Sequence, residues 1–556
     1  MRCGVDTGGT FTDVVTADGR IAKVLSTPDD PARAVAEGLD GLDGLVPDLL
    51  AHGTTVATNA LLERRGATVA LITTTGFADV IEIARQDRPS LYDIWADRPS
   101  PLVPRHLRLE VDGRLDATGA EIEPLGPVPA VPAGVEAVAV CLLHADLDGG
   151  HERSVAGAVA GTGVDVSCSS EVSPEFREYE RTVTTVVNAY LRPRCRSYLR
   201  GLDRLAEDVL VMTSAGGLVP TGEAADVPVA LLLSGPAGGV VAASAAAAAA
   251  GFDGAITFDM GGTSTDVCLV QDGVPAPAAG RRAAGFPIRL PSLDIHTIGA
   301  GGGSLAGIDP GGALFVGPES AGAEPGPACY GRGGTRPTVT DADLVLGRIP
   351  ADAVFASLGA LDVVAAGAAL ASAGVTAGDV VAVVDAAMER ALRAVSVERG
   401  VDPAPLALVA FGGAGPLHAC ALAEALGMAA VIVPPRAGVL SAVGLLCAPR
   451  HRALVRSWPT PADVAGLDDA LDELAARAAA LVGAGAVVER SVDCRYAGQS
   501  HELTVASVTD FAGEHVRRNG YARPGAPVEV VALRASARGP AGLRPGDLSP
   551  VDRRPV

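Results

Sequence analysis

Lysine is almost missing from this chain: among 44 basic residues in 556 positions only Lys23 is a lysine, and the rest are arginines. GC-rich codon usage accounts for the bias, but the bias still excludes chemistry. A Walker A loop requires Gly-Lys-Ser/Thr and a Schiff-base enzyme requires a lysine amine, and Lys23 lies in neither setting. Any phosphate must be held by backbone N–H groups, metal, hydroxyls or arginine. Aromatic residues make up only 3% against an apolar fraction of 48%, so Ala, Val, Leu and Gly build the core. The nine cysteines never form a Cys-x-x-Cys pair, which argues for reduced thiols and against a zinc ribbon. Positive charge is also the minority sign. With 65 acidic residues the net charge is -21, a field that repels nucleic acid and anionic membranes, so no nucleic-acid or membrane partner is expected. The uncharged stretch 227–252 is broken by Ser234-Gly-Pro and Gly238-Gly239 and is mostly alanine, which reads as a buried turn and helix rather than a membrane span. The N-terminus opens on a strand-like stretch without a charged segment and apolar signal core, and a cytoplasmic protein is expected.

The length predicts two to four domains. Within it one element occurs twice. Cys3-Gly-Val-Asp-Thr-Gly-Gly-Thr-Phe-Thr-Asp-Val-Val and Ile256-Thr-Phe-Asp-Met-Gly-Gly-Thr-Ser-Thr-Asp-Val-Cys share Asp, Gly, Gly, Thr, Thr, Asp and Val at the same offsets. Each copy passes from an apolar strand through Gly-Gly into an alternating strand, then meets an Asp-Gly turn, Asp18-Gly19 or Asp272-Gly273, which predicts a β-meander in each. Helical periodicity is expected from Glu178 to about Leu205, from Val380 to Glu398, and from Pro416 to a stop at Gly427. Strand-like runs at 137–143, 209–212, 406–411 and 430–433 alternate with these helices, favouring layered α/β domains. The expected division is an N-terminal unit 1–185, a second unit 186–455 and a smaller C-terminal unit 456–556, whose last residues look loosely ordered.

The paired loops suit a bound triphosphate. Glycines in a tight strand turn let backbone N–H groups approach phosphate oxygens, and threonine hydroxyls add donors. Thr7, Gly8, Gly9, Thr10 and Thr12 of the first loop, with Gly261, Gly262, Thr263 and Thr265 of the second, are the candidate phosphate-binding residues. An aspartate at a strand end cannot touch phosphate without repulsion, but it can hold Mg²⁺ directly or through water. Asp6 and Asp259 are therefore the candidate metal residues, and Asp13 and Asp266 the candidate catalytic organisers of metal or water. His52 is a candidate cleft residue beside the transferred phosphate, with a satisfied structural histidine as the alternative. His296 carries the same two readings. Gly412, Gly413 and Gly415 in Phe411-Gly-Gly-Ala-Gly-Pro are candidates to carry an adenosine at a strand-to-helix turn. Gly301 and Gly302 lie in a second close-approach loop. Asp341 and Asp343 read either as substrate-side acids or as helix caps, and Cys329 as a buried inert thiol. Asn59 and Arg65 read as polar helix residues.

These three glycine motifs resemble the two phosphate motifs and the adenosine motif of the actin, Hsp70 and sugar-kinase superfamily. More narrowly, Ala51-His-Gly-Thr-Thr-Val-Ala-Thr-Asn-Ala-Leu-Leu-Glu-Arg-Arg-Gly66, Ser234-Gly-Pro-Ala-Gly-Gly239, Asp294-Ile-His-Thr-Ile-Gly-Ala-Gly-Gly-Gly303, Gly326-Pro-Ala-Cys-Tyr-Gly331, Thr340-Asp-Ala-Asp-Leu-Val-Leu-Gly347 and Arg495-Tyr-Ala-Gly-Gln-Ser-His-Glu-Leu503 resemble the hydantoinase A/oxoprolinase family in order along the chain. The resemblance implies duplicated actin-like (ribonuclease H-like) α/β ATPase domains with a smaller C-terminal domain, ATP and Mg²⁺ as cofactors, and attack on a cyclic amide or imide shared with a hydantoinase B-type partner. A nucleotide subunit of an acetone carboxylase-like enzyme and a non-catalytic ATP-gated scaffold are the alternatives. The chain ends sooner than full-length relatives, so the C-terminal partner contacts of the family carry over less directly.

Overall fold

Apolar runs that end at Gly-Gly or Asp-Gly fold back on themselves here. In this computed structural model, residues 1–548 are described apart from 10, 28, 279, 356–358 and 541, so Thr10 lies outside the described residues. Strands β1 (Arg2–Thr7), β2 (Phe11–Thr16) and β3 (Ile21–Leu25) form an antiparallel meander, followed by helix α1 (Pro31–Asp40) with proline in its first turn. Strand β4 (Leu49–Thr54) then lies parallel to β1, the strand Asp208–Met212 parallel to β4, and Leu218–Pro220 closes that edge.

A second sheet repeats the arrangement. Ala255–Met260 and Thr265–Gln271 pair antiparallel, Val274–Pro275 and Ile295–Ile298 both pair with Thr265–Gln271, and Ala407–Phe411 and Ala430–Ile432 continue on the other side in parallel. Both sheets thus run from a parallel trio into an antiparallel hairpin. The register repeats too, with Asp6 opposite Asp13 and Asp259 opposite Asp266.

Two helices lie between these sheets, Gly235–Ala249 and Leu440–Cys447, and their backbones touch. A Cβ on Gly444 would stand 1.8 Å from the Gly238 carbonyl oxygen, and one on Gly4 of β1 2.1 Å from that of Ala442. No side chain fits there, and so glycine is required at both positions. The uncharged stretch 227–252 supplies the first of these helices, largely buried. Among the described residues no single helix is long and apolar enough to cross a membrane.

The expected helices form at Glu178–Leu202, Ala377–Val395 and Gly415–Leu426; the last starts with Pro416 in its first turn and stops at Gly427 in the left-handed conformation. Residue 185 lies inside the first of them. That helix covers a four-stranded parallel sheet, ordered Asp165–Cys168, Ala137–Cys141, Val69–Thr74, Arg108–Val111. The last part of the chain forms an antiparallel sheet ordered His451–Ser457, Val528–Arg538, Val487–Tyr496, Leu503–Val505, with the helix Leu467–Val482 on one face. The whole is a mixed α/β structure with several sheets.

Candidate functional site

The two Gly-Gly loops are built alike. The N–H of Gly8 donates to the Phe11 carbonyl at 3.0 Å, and that of Gly261 to the Ser264 carbonyl at 3.0 Å, so each loop is one tight turn joining two strands. Ser26 closes the first from behind, its hydroxyl donating to the Gly8 carbonyl at 2.7 Å and lying 3.1 Å from the buried Thr12 hydroxyl. In the second, the Thr265 hydroxyl donates to the Ala300 carbonyl at 2.6 Å. Thr7 is buried at the end of β1.

Four aspartates occupy equivalent half-buried positions on these hairpins. Burial first, and then Asp13, push the Asp6 carboxyl up to about 7. Burial pushes Asp13 up against the opposing pull of Lys23. Burial holds Asp266 at about 6, while the Thr297 hydroxyl that donates to it pulls the other way. Asp259 is raised well above a normal carboxyl by burial, by Asp266 and by Asp6. The last cause places Asp6 and Asp259 within Coulombic reach of each other. Carboxylates gathered in this way repel until a cation arrives.

The aspartates are fitted by glycines. A Cβ on Gly53, opposite Asp6 on β4, would lie 3.0 Å from Asp6 Oδ1, and a Cβ on Gly412 would lie 2.4 Å from Asp259 Oδ1. Gly412 has φ of +80° as well, which turns the chain from Ala407–Phe411 toward the helix at Gly415. Gly415 is close-fitted, since a Cβ there would lie 3.3 Å from the Phe258 carbonyl oxygen. By contrast, a Cβ on Gly9, Gly262 or Gly413 would meet nothing within 4 Å. Each of these three positions opens onto free space beside close-packed backbone, room for a phosphate or an adenosine laid on main chain. Thr263 follows Gly262 within the second turn. Gly301 and Gly302 have a different place. The Gly302 N–H donates to the Gly261 carbonyl at 2.9 Å and the Gly301 N–H donates to Ser304 Oγ at 2.9 Å. Both pack against the second loop, where a Cβ on Gly301 would lie 2.7 Å from the Thr263 nitrogen.

A divalent cation fits the same carboxylates. Among the described residues no group of three or more His, Cys, Asp or Glu side chains could hold a metal unaided. Magnesium does not need one, since it keeps several waters and is completed by one or two carboxylates and substrate phosphates.

His52 does not reach the cleft. It is fully buried on β4, its Nε2 lies 2.6 Å from the Tyr198 hydroxyl, and burial pulls its pKa down to about 3. This is a structural histidine, neutral at any working pH, bonded through Nε2 while its buried Nδ1 has no hydrogen-bond partner. Tyr198 itself lines a cavity of about 480 Å³ with Thr7, Gly8 and Gly9, and Asn59, Arg65 and Arg194 stand on the same wall. The sequence reading of Asn59 and Arg65 as plain helix polars missed this. The signal lay in their spacing from the Thr-Thr segment, because α2 (Val56–Leu62) begins where β4 ends beside the first loop.

Asp341 is a cap: it completes a capping box with Thr338 and accepts the N–H groups of Ala328 and Cys329. Asp343 is buried with His418, whose Nε2 is 3.2 Å away and whose Nδ1 is 2.7 Å from Asp385. Burial opposes charge on His418, but the two carboxylates outweigh it and hold the pKa at about 9. Cys329 is buried, and burial and Asp341 push its thiol far above the reactive range. His296 sits on Ile295–Ile298 opposite Val267, beside Thr297.

Known proteins resemble this chain over most of its length. The Hydantoinase/oxoprolinase family matches residues 181–453, and the N-terminal region of that family matches 2–163. Caprolactamase subunit alpha of Pseudomonas jessenii is 36% identical over 602 residues, 96% of this chain and 86% of that one. A crystal structure of the ATP-dependent caprolactamase from the same organism has a TM-score of 0.86 at 33% identity, covering 100% of this chain and 89% of that chain. 5-oxoprolinase 1 of Arabidopsis thaliana is 36% identical over 527 residues, 80% of this chain but 41% of its own length. A nucleotide-free structure of acetone carboxylase has a TM-score of 0.74 at 25% identity, covering 98% of this chain and 88% of that one. The chain belongs to the hydantoinase/oxoprolinase family.

Proposed function

We propose that the chain is the ATP-using subunit of a cyclic amidase. It binds ATP and Mg²⁺ between the two Asp-Gly-Gly loops of a duplicated actin-like fold and phosphorylates the carbonyl oxygen of a cyclic amide or imide of the lactam, 5-oxoproline or hydantoin type. Ring opening is completed with a hydantoinase B-type partner, a reading supported by relatives named as subunits. The observation that carries the proposal is the pair of half-buried carboxylates, Asp6 and Asp259, within Coulombic reach of each other, each backed by a second aspartate and each leading into an open glycine turn.

ATP, when bound, supplies the phosphoryl group that makes a poor amide electrophile reactive. The chain's own residues do the positioning. Thr7, Gly8, Gly9 and Thr12 on one side and Gly261, Gly262, Thr263 and Thr265 on the other cradle the phosphates, and Gly412, Gly413 and Gly415 carry the adenosine. Asp6 and Asp259 would hold the cation, and Asp13 and Asp266 would orient its waters. An amide oxygen has no proton to lose, so this step needs no general base. That agrees with a buried, neutral His52. The cavity of Asn59, Arg65 and Arg194 beside Gly8 and Gly9 holds the acceptor ring, within the usual range for small-molecule sites. In this reading the N-terminal unit runs past residue 185 through Leu218–Pro220, the second unit continues to about residue 455, and the antiparallel sheet forms the third.

The likeness to acetone carboxylase favours a second reading, in which the acceptor is a ketone and bicarbonate is consumed. Measuring ADP release with Mg·ATP, with and without the partner subunit, separates the two. Turnover stimulated by ε-caprolactam, 5-oxoproline or a hydantoin supports the amide reading. Stimulation by acetone plus bicarbonate alone overturns it.

A further inference from the structure

The chain has two tryptophans, and one of them, Trp95, is 85% exposed. Its neighbours are bare as well, Leu91 at 77%, Tyr92 at 96% and Ile94 at 84%. Apolar side chains left singly in water are ordinary, but four within the five residues 91–95 are not. Together they expose on the order of 600 Å², the upper end of what a monomer leaves in its largest apolar patch. The loop takes its shape without them. Ser90 Oγ accepts the N–H groups of Tyr92 at 3.3 Å and of Asp93 at 3.0 Å, and Asp93 Oδ1 accepts that of Trp95 at 2.9 Å. At the stem, Arg98 donates its Nε to the Asp87 carbonyl at 3.0 Å and its Nη1 to the Ile83 carbonyl at 2.9 Å. Short polar side chains thus fold the tip, and the apolar ones stand outward on a frame that is already ordered. Such a surface loses little entropy when it is covered, and Trp and Tyr are the side chains that carry most binding energy at interfaces.

Charge and position narrow what covers it. A second copy of this chain would bring a net charge of -21 against -21, which disfavours self-association. The loop runs on to Ser100, whose carbonyl accepts from Arg64 Nη1 at 3.4 Å, and Arg64 stands between Glu63 and Arg65, both on the wall of the cavity beside Gly8 and Gly9. A protein seated on the loop therefore lies next to the cavity assigned to the acceptor ring. The 5-oxoprolinase relative carries more than half of its polypeptide outside the stretch that matches this chain, and the caprolactamase relative is by name a subunit.

We propose that the loop 91–95 is the docking surface for the hydantoinase B-type subunit, with Tyr92 and Trp95 as anchors seated in an apolar groove of that partner and the exposed charges of Asp87, Arg88 and Asp97 on the rim. The inference rests on the two-subunit reading above and adds where the second subunit sits, beside the acceptor cavity whose product it must reach.

The test is binding of the separately purified hydantoinase B-type subunit of the same organism to the full-length chain, by calorimetry and analytical ultracentrifugation. Wild type is expected to bind it. The double variant Tyr92→Ser/Trp95→Ser is expected to melt and to bind Mg·ATP like wild type, since neither side chain is packed, but to lose about a hundredfold or more in affinity for the partner subunit. Val364→Ser, which trims an 81% exposed side chain on the helix Val363–Ser372, is expected to bind the partner as wild type does. Equal partner affinity in wild type and the double variant, or an equal loss in Val364→Ser, overturns the docking site alone. No binding by wild type overturns the two-subunit reading and the docking site with it. A wild-type dimer of this chain that the double variant dissolves gives the surface to a second copy and overturns the partner assignment.

Discussion

The single lysine of the chain, Lys23, donates its Nζ to Asp13 at 2.6 Å, across the β2–β3 register that sets the two residues opposite each other. In the second copy the residue facing Asp266 is Thr297, whose hydroxyl donates to it. The two half-sites therefore differ in charge: Asp13 has a cation beside it and Asp266 a neutral donor. Lys23→Met is expected to favour the protonated form of Asp13 and to lower kcat/KM for Mg·ATP by about tenfold at pH 7, with Lys23→Arg close to wild type. Steady-state assays across pH 6–8 check this, and an unchanged Lys23→Met profile removes the pairing from the mechanism.

Glycines that look alike in sequence should respond differently. Gly413 stands over open space, whereas Gly412 has positive φ and presses on Asp259. Gly413→Ala is expected to melt like wild type but to weaken ATP binding about tenfold or more, since its methyl enters the cradle. Gly412→Ala should lose both binding and about 1–3 kcal/mol of stability. Calorimetric titration and thermal unfolding of the pair separate the roles; equal behaviour of the two variants contradicts the cradle.

Much of this was legible beforehand. Matching offsets in the two Asp-Gly-Gly segments foretold equivalent hairpins, because strand pairing follows from a local turn and a short alternating run. The partner of Asp13 was also within reach: a hairpin folding about Asp18 sets positions 13 and 23 equally far from the turn. His52 was harder. Whether a histidine faces a cleft or a core depends on what packs on its strand, and here that is Tyr198, far along the chain. Gly301 and Gly302 were hard for a similar reason, since a close-approach loop can press on a ligand or on another loop, and sequence spacing is the same for both.

The contact between the two intervening helices sets a limit on stability. With Gly444 so close to the Gly238 carbonyl, Gly444→Ala must push apart the helices that join the two sheets. The expected loss is about 2–4 kcal/mol, read by denaturant unfolding, with ATP turnover falling as well. A variant as stable as wild type contradicts the helix contact.

His418 gives a pH dependence with a definite sign. Its pKa is about 9 in the folded protein against 6.5 as the reference value. The charged imidazolium between Asp343 and Asp385 therefore stabilises the fold fully below about pH 6.5, and that contribution fades as pH rises through 9. It amounts to about 3 kcal/mol. Wild type is expected to lose stability between pH 7 and 9.5 more steeply than His418→Gln, as measured by chemical denaturation at each pH. Parallel curves contradict the buried ion cluster.

The central claim is that Asp6 and Asp259 hold the cation of a shared nucleotide. Mg-dependent ATP hydrolysis by Asp6→Asn and Asp259→Asn, alongside circular dichroism to verify the fold, tests it most directly. Each variant is expected to keep its secondary structure and to lose at least about a hundredfold in turnover, roughly 2.7 kcal/mol of transition-state stabilisation. Wild-type turnover in both variants contradicts the account.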